Sequence, residues 1–307
     1  MDTSGQRRAF ARREDDAGPM TSNISATHAG HWDLGGRQVA RLGYGTMRLT
    51  GPGIMGPPKD HDGAIAVLRR AVELGVNHFD TSDYYGPYVA NELLREALHP
   101  YDGLVLVTKV GARRDEEGAW LNALGADELR EAVHDNLRRL GVERIDVVNL
   151  RMPGFAEPEG TPLEEQFTVL AQLREQGLIG ELGVSNVTQD QLAQAQKIAP
   201  VVCVQNLYNI SQRRDEELVR TCADQGIAYV PFFPLGGFEL VDDPRLKTIA
   251  EHHHATVPQV ALAWLLQRSP NLLAIPGTSS IGHLEENVAG ASLRLSADDV
   301  ATLDAIA

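Results

Sequence analysis

The residues with the clearest chemical potential lie in the run His78-Phe79-Asp80-Thr81-Ser82-Asp83-Tyr84-Tyr85-Gly86 and at the ends of the apolar segments that follow it. A tyrosine, a lysine and a carboxylate brought together form a proton-transfer unit. Free tyrosine titrates at about 10. A neighbouring ammonium stabilises the phenolate and lowers that value, and a carboxylate holds the ammonium in place. Such a tyrosine gives a proton to a developing alkoxide near neutral pH. Asp80, Tyr85 and Lys109 supply the three groups. Each also has an ordinary structural reading: Asp80 as a turn or helix-cap carboxylate, Lys109 as a lysine lying along apolar surface, Tyr85 as a core aromatic with a satisfied hydroxyl. Their joint placement at consecutive strand ends favours the chemical one.

That placement depends on the elements around them. Short continuously apolar runs alternate with amphipathic stretches from residue 41 onward. Strands are expected near 41, 76, 104, 146, 180, 201, 227 and 272. Helices are expected between them: one capped by Asp62 and running to about Leu74, then Val89–Leu98, Ala126–Leu140, Leu163–Glu175, Gln189–Ile198 and Asp215–Gln225. Further helices are expected at Pro244–His253, Val257–Gln267, His283–Ala289 and Ala297–Ala305. Strands buried on both faces and each followed by a helix imply a parallel sheet covered by helices. Eight such units favour a closed (β/α)8 TIM barrel, an α/β fold, over an open doubly wound sheet. Gly35-Gly36 between short alternating runs predicts an N-terminal β-hairpin ahead of the barrel. No Gly-x-Gly-x-x-Gly opens a first helix and no P-loop is present, so a dinucleotide-binding Rossmann domain is disfavoured.

Barrels collect their chemistry at the C-terminal strand ends. The polar residues there are Asp80 and Tyr85 after the second strand, Lys109 ending the third, and Asn149 and Arg151 ending the fourth. Ser185 and Asn186 follow the fifth, Gln205 and Asn206 end the sixth, and Gly277, Thr278, Ser279 and Ser280 follow the eighth.

Composition bounds the rest. The chain has 307 residues, 43% hydrophobic and 23% charged, enough for a sizeable core. Its net charge of −14 argues against nucleic acid or an anionic membrane as partner. No apolar run has membrane-spanning length, and the N-terminus lacks a secretory signal. Cys203 and Cys222 have neither metal spacing nor a disulfide framework, and read as reduced thiols of a cytoplasmic protein. Residues 1–30, with Arg7, Arg8, Arg12 and Arg13 followed by Glu14, Asp15 and Asp16, read as a disordered extension, with residues 31–307 as one domain. His252-His253-His254 point in different directions on a helix and read as a solvated helix end, and no motif suggests a catalytic metal.

Several ordered motifs together resemble the aldo-keto reductases across nearly all of residues 31–307. They are Phe79 to Gly86, with a tyrosine directly before the glycine, then Val107-Thr108-Lys109-Val110, Gly183-Val184-Ser185-Asn186 and Val204-Gln205-Asn206-Leu207-Tyr208-Asn209. Pro234-Leu235-Gly236, Ile275-Pro276-Gly277-Thr278 and Glu286-Asn287 complete them. The resemblance implies NAD(P)H-dependent reduction of a small carbonyl substrate, with Tyr85 as general acid, Lys109 tuning it and Asp80 paired to Lys109. It further implies that Ser185, Asn186 and Gln205 hold the nicotinamide carboxamide, that Thr46 and Met47 border the ring, and that Phe232 stacks on it where the family usually has tyrosine. Leu235 and Gly237 would approach the pyrophosphate. Gly277, Thr278, Ser279, Ser280, His283, Glu286 and Asn287 would surround the adenosine. Tyr84 is read as a wall or packing residue.

The sequence departs from the family pattern at two places. Arg151 stands where the family usually has a histidine that orients the carbonyl, and an arginine presents several charged donors to an oxygen. Its structural alternative is an ion pair. At the adenosine end, hydroxyls replace the lysine or arginine with which many members read the 2′-phosphate. NADPH is the preferred cofactor, with NADH as the alternative. Details such as Leu42-Gly43-Tyr44-Gly45, Gly111-Ala112-Arg113-Arg114 and Pro231 to Phe238 resemble bacterial reductases associated with pyridoxal. Met55, Tyr88, Phe155, Phe233 and Phe238 are expected to wall the pocket around a flat substrate. The alternatives are a ketone or ketosugar reductase of secondary metabolism, or a non-catalytic nicotinamide-sensing subunit. The sequence carries no signal that chooses between monomer and homo-oligomer.

Overall fold

The computed structural model describes residues 24–154, 157–237 and 242–306. Two strands, β1 (His31–Asp33) and β2 (Gln38–Ala40), form the expected antiparallel hairpin. β3 (Tyr44–Gly45), β4 (His78–Asp80) and β5 (Val105–Val110) begin the parallel sheet. A second hairpin follows, β6 (Ala112–Arg114) with β7 (Trp120–Asn122). The sheet continues through β8 (Ile145–Arg151), β9 (Ile179–Ser185), β10 (Cys203–Gln205) and β11 (Ala228–Tyr229).

The expected eighth strand is reduced to bridges, yet it closes the barrel. Tyr229 N–H donates to Asn271 O at 2.8 Å and Leu273 N–H to Tyr229 O at 2.9 Å on one side. On the other side, Gly43 N–H donates to Ala274 O at 2.8 Å and Ala274 N–H to Arg41 O at 2.9 Å. Residues 271–274 therefore satisfy both sheet edges, which an open sheet would leave unpaired.

Period-2 alternation sorts the strand side chains. Val105, Val107, Val147, Cys203, Ala228, Val230, Leu273 and Ile275 pack together as one buried cluster. Leu34 and Val39 of the β1–β2 hairpin join that cluster, so the hairpin plugs the bottom of the barrel. Helix Ala126–Leu140 buries Leu129, Val133, Leu137 and Leu140, the face its spacing predicts.

Three details differ from the sequence reading. Asp60, not Asp62, caps helix His61–Glu73: Asp60 is extended and its Oδ1 accepts from Gly63 N–H at 2.9 Å. Asp62 instead lies in the first turn, where a carboxylate favours the helix dipole. The β6–β7 hairpin was not expected, because its only turn signal, around Gly118, sits in a polar stretch without alternation. Of the N-terminal extension, residues 1–23 lie outside the described residues, but residues 24–30 are folded. Ser25 caps a short 3-10 helix, Ala26–Ala29, whose small buried side chains let Ala26 N–H reach Leu74 O at 2.8 Å.

Candidate active site

Strand-end side chains meet in a cleft of about 1320 Å³ at the C-terminal mouth of the barrel. At its floor Lys109 Nζ donates to Asp80 Oδ1 at 2.6 Å and to Thr81 O at 3.1 Å, and Gln205 Nε2 donates to Asp80 Oδ2 at 2.8 Å. Asp80 and Lys109 are both buried, so each needs the other's charge and these extra hydrogen bonds to offset desolvation. The register dictates the meeting. Asp80 pairs with Val107 on β5, and Lys109 lies two residues further on, with its side chain on the same face as that of Val107.

Tyr85 follows β4 in a turn, and its ring lies under Lys109 Nζ, 5.1 Å from the centroid. Burial, and then the Asp80 charge, push its pKa above the ordinary tyrosine value, while Arg151 works in the opposite direction. Desolvation is the largest of these effects. A phenol held protonated is the form that donates.

Arg151 ends β8 and lines the cleft. Its Nη1 donates to Met152 O at 3.2 Å and its Nη2 to Gly154 O at 3.0 Å. Among the described residues no carboxylate lies within salt-bridge distance of it, so the ion-pair alternative is not realised there.

Asn186 sits at φ +56°, a left-handed conformation that asparagine tolerates. Its Nδ2 donates to the Pro153 and Gly154 carbonyls, at 2.5 and 2.9 Å. Among the described residues that leaves Asn186 Oδ1 buried with no partner, as is Gln205 Oε1. Asn186 N–H donates to Gln205 O at 3.0 Å, so the two amides sit on neighbouring strand ends. Gln205 lines the cleft and Asn186 does not, so Gln205 Oε1 is the orphaned acceptor placed to take an N–H donor such as that of a nicotinamide carboxamide.

Met47, Ser185, Phe232, Leu235, Gly237, Gly277, Thr278, Ser279 and His283 also line the cleft. Gly277 has a specific reason: a Cβ there would meet Gly45 O at 2.4 Å. Other expected residues fall elsewhere. Thr46 is fully buried and its Oγ1 donates to Thr81 Oγ1 at 2.9 Å, which ties the first strand to the second rather than facing the cleft. Ser280 caps helix Ile281–Ala289 through His283 N–H. Glu286 and Asn287 lie further along that helix, outside the cleft lining.

Of the expected pocket walls, Phe233 is present, whereas Phe155 and Phe238 lie outside the described residues. Tyr88 turns away under the Arg139 guanidinium, 4.6 Å from its ring centroid, and Met55 does not line the cleft. The walls that sequence reasoning missed are Trp120, Leu121 and Asn122 of the second hairpin. The histidine run is only partly solvated. His253 is half-buried and its Nε2 lies 2.9 Å from Asp299 Oδ2, with His252 close by.

A closed parallel barrel with a buried Asp–Lys–Tyr set and a long cleft at its mouth defines a class, that of barrel oxidoreductases. The chain belongs to the Aldo/keto reductase family, whose model matches residues 41–307. It is 56% identical to pyridoxine 4-dehydrogenase of Escherichia coli strain K12 over 277 residues, 89% of this chain and 96% of that one. A thermostable aldo-keto reductase solved with the inhibitor epalrestat superposes with a TM-score of 0.77 at 30% identity, covering 90% of this chain and 99% of that one. An aldo-keto reductase from Klebsiella pneumoniae in complex with NADPH superposes with a TM-score of 0.75 at 26% identity, covering 90% and 94%. No helix among the described residues is long and apolar enough to cross a membrane.

Proposed function

We propose that this chain is a cytoplasmic NADPH-dependent reductase of pyridoxal or a similar small aromatic aldehyde. The observation that carries the reductase reading is the buried Asp80–Lys109 pair beside the protonated Tyr85 on the cleft floor. When bound, the reduced nicotinamide supplies a hydride. Gln205 Oε1 would accept from its carboxamide, with Ser185 beside it in the cleft and Asn186 Oδ1 as a second unpartnered acceptor on the neighbouring strand end. Phe232 offers a flat apolar face and Leu235 and Gly237 the approach to the phosphates. Gly277, Thr278, Ser279 and His283 line the adenosine end.

Tyr85 donates its hydroxyl proton to the carbonyl oxygen as negative charge develops there. Lys109, locked to Asp80 and Thr81 O, stays beside Tyr85, and its charge stabilises the phenolate left behind. Arg151, free of carboxylates among the described residues, stabilises an anionic oxygen on the substrate. Pyridoxal offers such an oxygen, because its phenol beside the aldehyde is readily ionised. The activity named for the Escherichia coli relative supports the same substrate class.

The test is NADPH oxidation across aldehydes and ketones that include pyridoxal, with wild type and Tyr85→Phe. Pyridoxal should be the best substrate. Tyr85→Phe should lower turnover by about 10²–10⁴-fold while still binding NADPH. Turnover that survives Tyr85→Phe overturns the mechanism. Pyridoxal reduced no better than benzaldehyde overturns the substrate, and NADH binding as tightly as NADPH overturns the cofactor preference.

A further inference from the structure

The β6–β7 hairpin takes no part in the proton chemistry, yet it is built into the cleft with unusual firmness. Trp120 is 48% exposed, more than the other exposed large hydrophobics among the described residues, Val72 at 37% and Ile281 at 41%. It lines the cleft. Its indole meets the Tyr84 ring edge-on at 5.5 Å, and Tyr84 meets Tyr85 edge-on at 5.3 Å, so an aromatic chain runs from the proton donor to the mouth.

Arg114 fixes this indole. It pairs with Trp120 across the hairpin, and its guanidinium carbon lies 4.1 Å from the ring centroid, which covers one indole face. The guanidinium donors are then spent on backbone carbonyls of two separate segments. Within the hairpin, Nη2 donates to Gly118 O at 2.7 Å. Across the cleft edge, Nη1 donates to Ile54 O at 3.1 Å and Nη2 to Gly53 O at 3.0 Å. Gly118 has φ +83°, and a Cβ there would press to 3.3 Å from both Arg114 Nη2 and Met55 Cγ. The hairpin is rooted at Gly111, two residues past Lys109, where a Cβ would meet Arg151 O at 2.4 Å. The platform is thus tied to the strands that carry both cationic residues of the site.

We propose that Trp120 is the surface on which the flat face of an aromatic aldehyde lies, and that Arg114 is the positioning residue that holds this surface in place. The inference rests on the aldehyde-reductase reading and adds a specificity determinant to it. A half-exposed indole held rigid loses little side-chain entropy on binding and gains stacking and apolar burial. Aliphatic aldehydes cannot use its face in the same way.

The experiment compares kcat/KM for benzaldehyde with that for propanal. Trp120→Ala should lower the ratio about tenfold, chiefly through KM for benzaldehyde, and Trp120→Phe should restore most of it. Arg114→Ala should lower the ratio in the same direction, and Arg114→Lys should not restore it, because an ammonium cannot bridge three carbonyls in one plane. Quenching of tryptophan emission by 4-nitrobenzyl alcohol should be strong in wild type and lost in Trp120→Phe, which keeps Trp32 and Trp264. A ratio within twofold of wild type in Trp120→Ala overturns the proposal. Equal loss of both substrates with NADPH binding retained also overturns it, since Trp120 would then serve only to pack Tyr84. Wild type that reduces no aldehyde sinks the reductase reading instead, while the quenching still decides whether Trp120 binds an aromatic ring.

Discussion

Lys109 Nζ and Asp80 Oδ1 are 2.6 Å apart, with side chains only 5% and 3% exposed. Thr81 O takes a second ammonium proton and Gln205 Nε2 occupies the other carboxylate oxygen. The bond to Gln205 has a second consequence. It spends the amide nitrogen inside the protein and leaves Oε1 as the group available to a ligand.

Removing one member of this pair strands a buried charge. Asp80→Asn or Lys109→Met should each destabilise the fold by about 3–5 kcal/mol. The double variant should recover much of that loss, since neither charge is then uncompensated. Denaturant midpoints of the three variants measure this. Single variants that lose less than about 1 kcal/mol would show that the pair is not closed in solution. Turnover should fall in all three.

Arg151 presents a different situation, because among the described residues its partners are the Met152 and Gly154 carbonyls and no carboxylate pairs with it. Arg151→Met keeps a long apolar stem but removes the charge. We expect kcat/KM for pyridoxal to fall about 10–100-fold, corresponding to loss of a charge-assisted hydrogen bond of roughly 1.5–3 kcal/mol. Benzaldehyde, without an ionisable phenol, should lose less. Equal losses for the two aldehydes would place Arg151 on the carbonyl oxygen rather than on the neighbouring anion.

Asn186→Gly preserves the positive φ while removing the amide. NADPH should then bind about tenfold more weakly, the order expected from one lost hydrogen bond of about 1.4 kcal/mol. Fluorescence titration measures it. Unchanged NADPH affinity would show that Oδ1 does not meet the cofactor. Some loss of stability is expected as well, because Nδ2 braces residues 152–154 through their carbonyls.

Much of this was legible in the sequence. Strands buried on both faces announce a parallel sheet, and their number announces a barrel, so the ends of β4, β5 and β8 could be named as sites from the chain alone. Thr46 was misplaced because a hydroxyl beside the cleft and a hydroxyl bonded inward to Thr81 look alike in sequence. The β6–β7 hairpin was invisible because its polar stretch does not alternate, and the arginine that ties it to the cleft edge bonds residues some 60 positions away, Gly53 and Ile54. The pairing of Asp80 with Lys109 was readable from the chain, but the dryness of the floor, which raises the Tyr85 pKa, is a property of packing.

His78 and Asp83 make opposing contributions to the pH dependence of stability. His78 is fully buried, and among the described residues neither ring nitrogen has a partner; burial pushes its pKa down to about 4 against an opposing pull from Asp80. The unfolded chain therefore binds more protons between about pH 4 and 6.5, and this term is lost as pH falls through that window. Its size is on the order of 3 kcal/mol. Asp83 runs the other way. Burial raises its carboxyl to about 7, chiefly by desolvation, so the folded chain holds the extra proton and stability is lost as pH rises from about 4 to 7. The two slopes overlap and largely offset in wild type. Asp83→Asn should expose the His78 slope, giving a protein whose stability relative to wild type rises steadily from about pH 4 to 7. His78→Phe should do the reverse and leave stability falling over the same interval. Urea unfolding at a series of pH values checks both, and parallel pH profiles for wild type and Asp83→Asn would show that Asp83 does not titrate in this range.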